Sequence, residues 1–450
     1  MRLQRGETIR PKARMQPKTL SFKLGGATTT ESRRSEPAIV QPPPLPPSVA
    51  TTDSFQQPIS PCASNMSAEE ILAELVEMCG RERVSDLQIQ SSRVVYANKA
   101  GSTAPILRWG ILDEKTVLRM VETLYGARRL SLGVLQETDE NPNALRDAIG
   151  TDRKLDFASE GDGSGPLGFG RFRVQVHLSN KGIGMTIRVL GSRIAPLDSL
   201  GLPPDAVESL RQKVTKKQGI GLIVGPTGSG KTTTLAGLLD WVRRNLNKHI
   251  VTVEDPIEYC YEDTVEEGRR PAPALVTQQE VGHHVRSFHQ GLMDALRKKP
   301  DIILVGEIRD AETLRTALEA AETGHFILST LHTRGAGKTL HRTCQMFDLE
   351  QARTIFQQFA DVGSFIMSQG LMPDVSGKYT ICCEYFSIQE IEDRNAIRKY
   401  VEGAFQDVEE RLNKPYNRRW NNELKALLAG GRINDTTFEQ FYQATGLENK

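Results

Sequence analysis

Eight consecutive residues, Gly225 Pro226 Thr227 Gly228 Ser229 Gly230 Lys231 Thr232, have the types and spacing needed to cradle a phosphate chain. Glycines tolerate positive φ and let backbone approach closely, so successive N–H groups can turn toward one anion. Lys231 adds a point charge in reach of the outer phosphates, and the Thr232 hydroxyl is a ligand for Mg2+. Further along stand Glu254, Asp255 and Glu258, and then Glu307 by itself. Carboxylates gathered beside an anion site repel one another unless a cation or a proton-transfer role compensates them, which makes these the candidates for holding metal and water. His325 and His332 bracket one apolar run. Each reads equally well as a phosphate sensor or as a hydrogen-bonding strut.

These side chains need elements to position them. Residues 221–224 form a short apolar run that ends at the glycine loop, and residues 233–242 carry apolar side chains at helical spacing. Strand, loop and helix therefore come in the order a phosphate-binding turn requires, with the positive end of the helix at the anion. Residues 249–253, 301–305 and 326–330 have the pattern of buried strands, and the carboxylates and His332 follow their ends. Ligands gather at the carboxyl ends of such strands. Residues 311–322 are helical, with Leu314, Ala317, Leu318 and Ala321 on one face. The alternation predicts an α/β domain with a mostly parallel sheet and helices on both faces.

A length of 450 residues suggests two or three domains. Residues 1–62 read as a disordered arm, basic at first and then rich in proline, with no apolar core of a secretory signal. Residues 63–195 read as an α+β domain, opening on a capping box of Ser67 and Glu70, with a helix that Gly80 should stop and a second helix over 114–125. Residues 196–385 hold the phosphate site. Residues 386–450 are expected to be helical, the helix over 351–369 being the longest in the last part of the chain and Gly430 Gly431 separating two short ones. The net charge of +1, from 57 basic and 56 acidic residues, argues against a protein coated in nucleic acid. No apolar run approaches the ~20 residues of a membrane span. The six cysteines show no paired C-x-x-C spacing, so neither a zinc ribbon nor a disulfide framework is indicated.

Taken together, the glycine loop, Thr252 Val253 Glu254 Asp255 Pro256 Ile257 Glu258, the block from Asp301 to Asp310 and Ala321 Glu322 Thr323 Gly324 His325 resemble the secretion and pilus motor ATPases of the PilT/GspE type. They stand in that family's order of Walker A, Asp box, Walker B and His box. The resemblance implies a RecA-like ATPase core preceded by a PAS-like α+β domain and followed by a helical region. It implies ATP and Mg2+ as ligands, with residues 225–233, Thr233 included, binding nucleotide, and Thr232 and Glu307 binding the metal. Glu258 would polarise the attacking water, and His325 and His332 would read nucleotide state. Arg173 and Arg188 match two arginines that reach the γ-phosphate from the N-terminal domain, where they would act as arginine fingers do. One departure is Gly306, which stands where the usual motif ends its strand with Asp.

The resemblance also implies a homo-hexamer in the cytoplasm, peripheral at the inner membrane, working with secretion or pilus complex proteins and without direct nucleic-acid binding. Residues 395–402 only partly match the signature of retraction motors, and the likeness leans toward the ATPases of type IVB secretion and plasmid conjugation (DotB and TraJ types). A retraction motor, a DNA translocase on the same core and a nucleotide-gated assembly module are the competing readings. Glu258, Glu307, Arg173 and Arg188 together speak against the last, since binding alone would not need them.

Overall fold

The computed structural model describes residues 66–82, 84–99, 102–131, 154–160, 171–190, 194–261 and 272–445. The arm over 1–62 lies outside them. The first layer opens with α1 (Ala68–Glu82). Ser67 and Glu70 cap it reciprocally: Ser67 N donates to Glu70 Oε2 at 2.7 Å and Glu70 N to Ser67 Oγ at 3.2 Å. The helix runs two residues past Gly80, whose backbone stays helical, and Glu82 is tied down by Lys99 at 3.3 Å.

Then come β1 (Asp86–Gln90), β2 (Val95–Lys99), β3 (Ser102–Ile106), α2 (Glu114–Ser131), β4 (Lys154–Glu160), β5 (Arg171–Ser179) and β6 (Gly182–Leu190). The six strands pair antiparallel in the order β3-β2-β1-β6-β5-β4. One face packs on α1 and α2 through Leu72, Leu75, Val117, Val121, Val174 and Ile187, among others. The other face keeps polar residues, because strand side chains alternate.

The second layer follows α3 (Pro204–Val214). It comprises β7 (Gly219–Val224), α4 (Lys231–Asn245), β8 (His249–Glu254), β9 (Leu275–Glu280), α5 (Phe288–Leu296), β10 (Ile302–Val305), α6 (Ala311–Glu322), β11 (Phe326–Leu331), α7 (Ala336–Cys344), α8 (Leu349–Val362), β12 (Gly363–Pro373) and β13 (Tyr379–Ser387). The sheet order is β13-β12-β7-β11-β10-β8-β9, parallel except for the β12–β13 hairpin at one edge. Every residue of β7, β10 and β11 is buried, as expected of strands covered on both faces. Ile220, Leu222 and Val224 face a core with α5, α6 and α8, while Ile223 faces the other core, with α3 and α4. The period of two thus sorts one strand between two layers of helices.

One expectation fails here. The helix read over 351–369 stops at Val362, and Gly363 begins strand β12. Beyond it, Phe365 and Met367 enter one core and Ile366 the other. An apolar run that serves both faces of a sheet has no helical stripe to distinguish it from a buried helix. Among the described residues, four helices follow β13: α9 (Ile391–Tyr400), α10 (Phe405–Arg411), α11 (Trp420–Ala429) and α12 (Asp435–Thr445), the last two on either side of Gly430 Gly431.

Candidate phosphate and catalytic site

The parallel register sets the ends of β7, β11, β10 and β8 side by side, with Val224 opposite Leu331 and Val305 opposite Ser329 and Val253. The glycine loop, His332, Glu307 and Glu254 therefore emerge along one edge. Gly228 and Gly230 adopt φ of +78° and +85° in the loop, and a Cβ on Gly225 would stand 2.4 Å from Gln369 O. Only glycine fits there. Helix α4 starts at Lys231 from an N-cap glycine without any side-chain cap and with no acid in its first turn. Its first N–H groups thus have no side-chain acceptor, the condition under which a helix start binds an anion.

Lys231 is buried, and its Nζ donates to Gly225 O at 2.8 Å and Pro226 O at 3.0 Å. Burial depresses this ammonium below the usual lysine range, while the Glu307 and Glu258 carboxylates push it back up. The ammonium donates to oxygens clustered at the loop, the donor set that phosphate oxygens would meet. The residues present therefore fit a nucleoside polyphosphate. Thr232 is half-buried in the first turn of α4. Thr233 Oγ1 lies 3.0 Å from Tyr259 OH, a contact that ties the helix to the carboxylate loop.

Glu307 Oε1 lies 3.3 Å from His332 Nε2, and its Oε2 accepts from Arg309 Nε at 2.9 Å. Arg309 also reaches Asp255 at 3.6 Å, so one cation spans both acidic motifs. A side chain at 306 would be a tight fit. A Cβ there would lie 3.2 Å from Val253 O and 3.3 Å from the Phe288 ring, because β8 passes close by.

Glu254 ends β8 and is buried. Thr252 Oγ1 donates to its Oε1 at 2.6 Å and Gln278 Nε2 at 3.1 Å. Burial pushes its carboxyl up to about 7 against those hydrogen bonds. Gln278 in turn donates to Tyr259 O at 2.8 Å and accepts from Tyr261 N at 3.1 Å, and Glu280 accepts from Ile257 N at 3.1 Å. The loop bearing Glu258 is thus stitched to β9.

From the other side the antiparallel sheet grips the same loop. Arg171, buried at the start of β5, donates to Glu258 O at 2.8 Å and Ile257 O at 3.2 Å. Arg173, two residues on and so on the same face, has Nη1 3.8 Å from Glu258 Oε1. Arg188 sits directly across the strand pair from Arg173, but its Nε donates to Asp86 at 2.7 Å.

Of the residues singled out in the sequence, the structure brings together the loop over 225–233, Glu258, Glu307, Arg173 and His332. Arg188 stands one strand back, held by Asp86. His325 departs from expectation. It lies at the opposite end of β11, beside Gly219 rather than Gly225, about 20 Å along the strand from His332. Its Nδ1 is 3.0 Å from Ala320 O, the strut of the two readings. Two histidines bracketing a whole strand cannot read one phosphate within a chain. Arg171, Gln278, Tyr259 and Gln369 were missed. The period-two pair Arg171 and Arg173 on one strand face was the available signal for the first; the others carry none without the sheet order.

The same parts recur in proteins already known. The type II/IV secretion system protein family matches residues 170–408. The Pseudomonas aeruginosa type IV pilus retraction ATPase PilT is 39% identical over 210 residues, 47% of this chain and 58% of that protein, and the type IV pilus ATPase PilU of the same organism is 31% identical over 313 residues, 70% and 72%. The chain spans 58–59% of the length of the first three relatives it matches, and 72% of PilU. A crystal structure of the retraction motor PilT with bound ADP superposes with a TM-score of 0.66 at 29% identity, covering 82% of this chain and 96% of that one. The Legionella pneumophila ATPase DotB gives 0.68 at 25%, covering 84% and 96%. Because the match takes in the glycine loop, both carboxylate motifs and the arginine strand, and more than half of the sequence, the chain belongs to the type II/IV secretion system protein family.

Proposed function

We propose that the protein is an ATP hydrolase that works as a homo-hexameric motor on the cytoplasmic face of the inner membrane and drives a secretion or conjugation machine. The observation that carries the reading is the grip of Arg171 and Arg173 on the Glu258 loop. It joins a carboxylate at the phosphate site to a different sheet, so chemistry on one side is felt as a pull on the other. Lys231 and the loop N–H groups bind the phosphates. Glu258 accepts a hydrogen bond from the attacking water, and Arg173 offsets charge building on the transferred group. Mg2+, when bound, neutralises the phosphate oxygens. Glu307, held by His332 and Arg309, orients what Thr232 binds.

The likeness to DotB supports a secretion machine, and the charge balance speaks against a DNA translocase. Similarity to PilT and PilU favours a second reading, a pilus retraction motor. ATP hydrolysis measured against oligomeric state, by light scattering on a sizing column with and without single-stranded DNA, tests the class. Hydrolysis that rises with hexamer formation and ignores DNA supports the motor; stimulation by DNA in a monomer sinks it. Restored twitching in a Pseudomonas strain lacking its retraction motor would decide for the second reading.

A further inference from the structure

Residues 409–445 lie outside the family match, yet α11 and α12 pack on the β12–β13 hairpin, which runs beside the phosphate loop. Helices α11 and α12 share a small core with Met372 and Cys382 of the β12–β13 hairpin. The Trp420 and Phe441 rings, 5.6 Å apart, close over Gly370, where a Cβ would stand 2.5 Å from Phe441 Cζ and 3.4 Å from Trp420 Cη2. The preceding residue, Gln369, points to the other face of the strand. It is 0% exposed, and its Nε2 donates to Ser229 O at 2.7 Å inside the glycine loop. Its own backbone O is the atom that crowds Gly225. Ser368 Oγ accepts from Gly335 N at 2.8 Å, on the segment following His332. Three consecutive residues therefore touch the His332 segment, the phosphate loop and the C-terminal helices.

The direction of the Gln369 bond matters. Across a trans peptide, the C=O of Ser229 and the N–H of Gly230 point opposite ways. Holding the carbonyl toward β12 turns that N–H away from β12 and into the loop, where a phosphate would accept it. Gln369 Oε1 and Ser229 Oγ are both buried and find no partner among the described residues, which leaves the bond to Ser229 O as the side chain's tie to the loop.

We propose that Gln369 is a positioning residue of the phosphate loop, and that α11 and α12 set its place through Gly370, so that this helix pair tunes nucleotide affinity. The proposal rests on the reading of the loop as an ATP site. The test uses the full chain, with mant-ADP binding and steady-state ATP hydrolysis. Gln369→Ala is expected to raise Kd and KM about tenfold, more than it lowers kcat, because a buried carbonyl is left unpaired. Gln369→Leu, which keeps the bulk and loses the donor without adding charge, should behave the same way. Phe441→Ala should weaken binding in the same direction by about threefold, with no further loss in the double variant with Gln369→Ala, since residues acting through one another are not additive. Phe441→Leu takes its place if the alanine variant no longer melts cooperatively. An unchanged Kd in either single variant, or losses that simply add, would overturn the proposal. A wild-type chain that fails to bind mant-ADP would instead sink the ATP reading itself.

Discussion

At the scale of single residues, the site separates two carboxylates by environment. Glu258 lies toward the antiparallel sheet with Arg173 at 3.8 Å, whereas Glu254 is enclosed, with Thr252 and Gln278 as its partners. Glu258→Gln keeps the shape and loses the base, so kcat should fall by about 10^2-fold or more while nucleotide still binds. Normal turnover by that variant in a coupled ATPase assay would remove Glu258 from the mechanism. Glu254 should show itself in stability instead. Its folded pKa of about 7 lies above the ordinary 4.5, so the native state holds more protons than the unfolded one between those values and stability falls as pH rises through that window. Glu254→Gln can accept the same two hydrogen bonds without ionising. Its melting temperature should therefore gain on the wild type between pH 5 and pH 8, by the equivalent of about 2 kcal/mol. A pH-independent difference would show that Glu254 titrates normally.

At the scale of elements, the loop over 255–261 is held between two sheets. Strand β9 supplies Gln278 and Glu280, and strand β5 supplies Arg171. Arg171→Ala removes two charge-assisted hydrogen bonds to backbone carbonyls, each worth about 1.5–3 kcal/mol. The expected outcome is faster amide hydrogen exchange over 255–261 and a lower kcat, with KM for ATP little changed because Lys231 and the glycine loop are untouched. Exchange confined to its wild-type rate would mean that β9 alone holds the loop. Gln278→Ala should loosen the same segment from the opposite side.

At the scale of the whole molecule, Arg173 meets Glu258 of its own chain. If that contact is the working one, mixing Arg173→Ala with Lys231→Ala subunits should restore no activity, because each site needs both residues from one chain. Recovery of hydrolysis in mixed assemblies would assign the arginine to a neighbouring subunit. No helix among the described residues is long and apolar enough to cross a membrane.

What the sequence by itself determined is local. The glycine loop, the fully buried strands β7, β10 and β11, helix α6 over 311–322 and the capping box at Ser67 are each written in a few adjacent residues, through backbone freedom, apolar period and side-chain reach. Only the tertiary structure decided which of these meet. Parallel register put His332 beside Glu307 and sent His325 to the far end of β11, although both flank the same strand. The run over 363–369 looked helical because both its faces are buried, and only its pairing with β7 makes it a strand that brings Gln369 to Ser229. Arg171 reached Glu258 across 87 residues of chain, a separation that no spacing rule spans, because the contact is set by how two sheets pack and not by any period along either one.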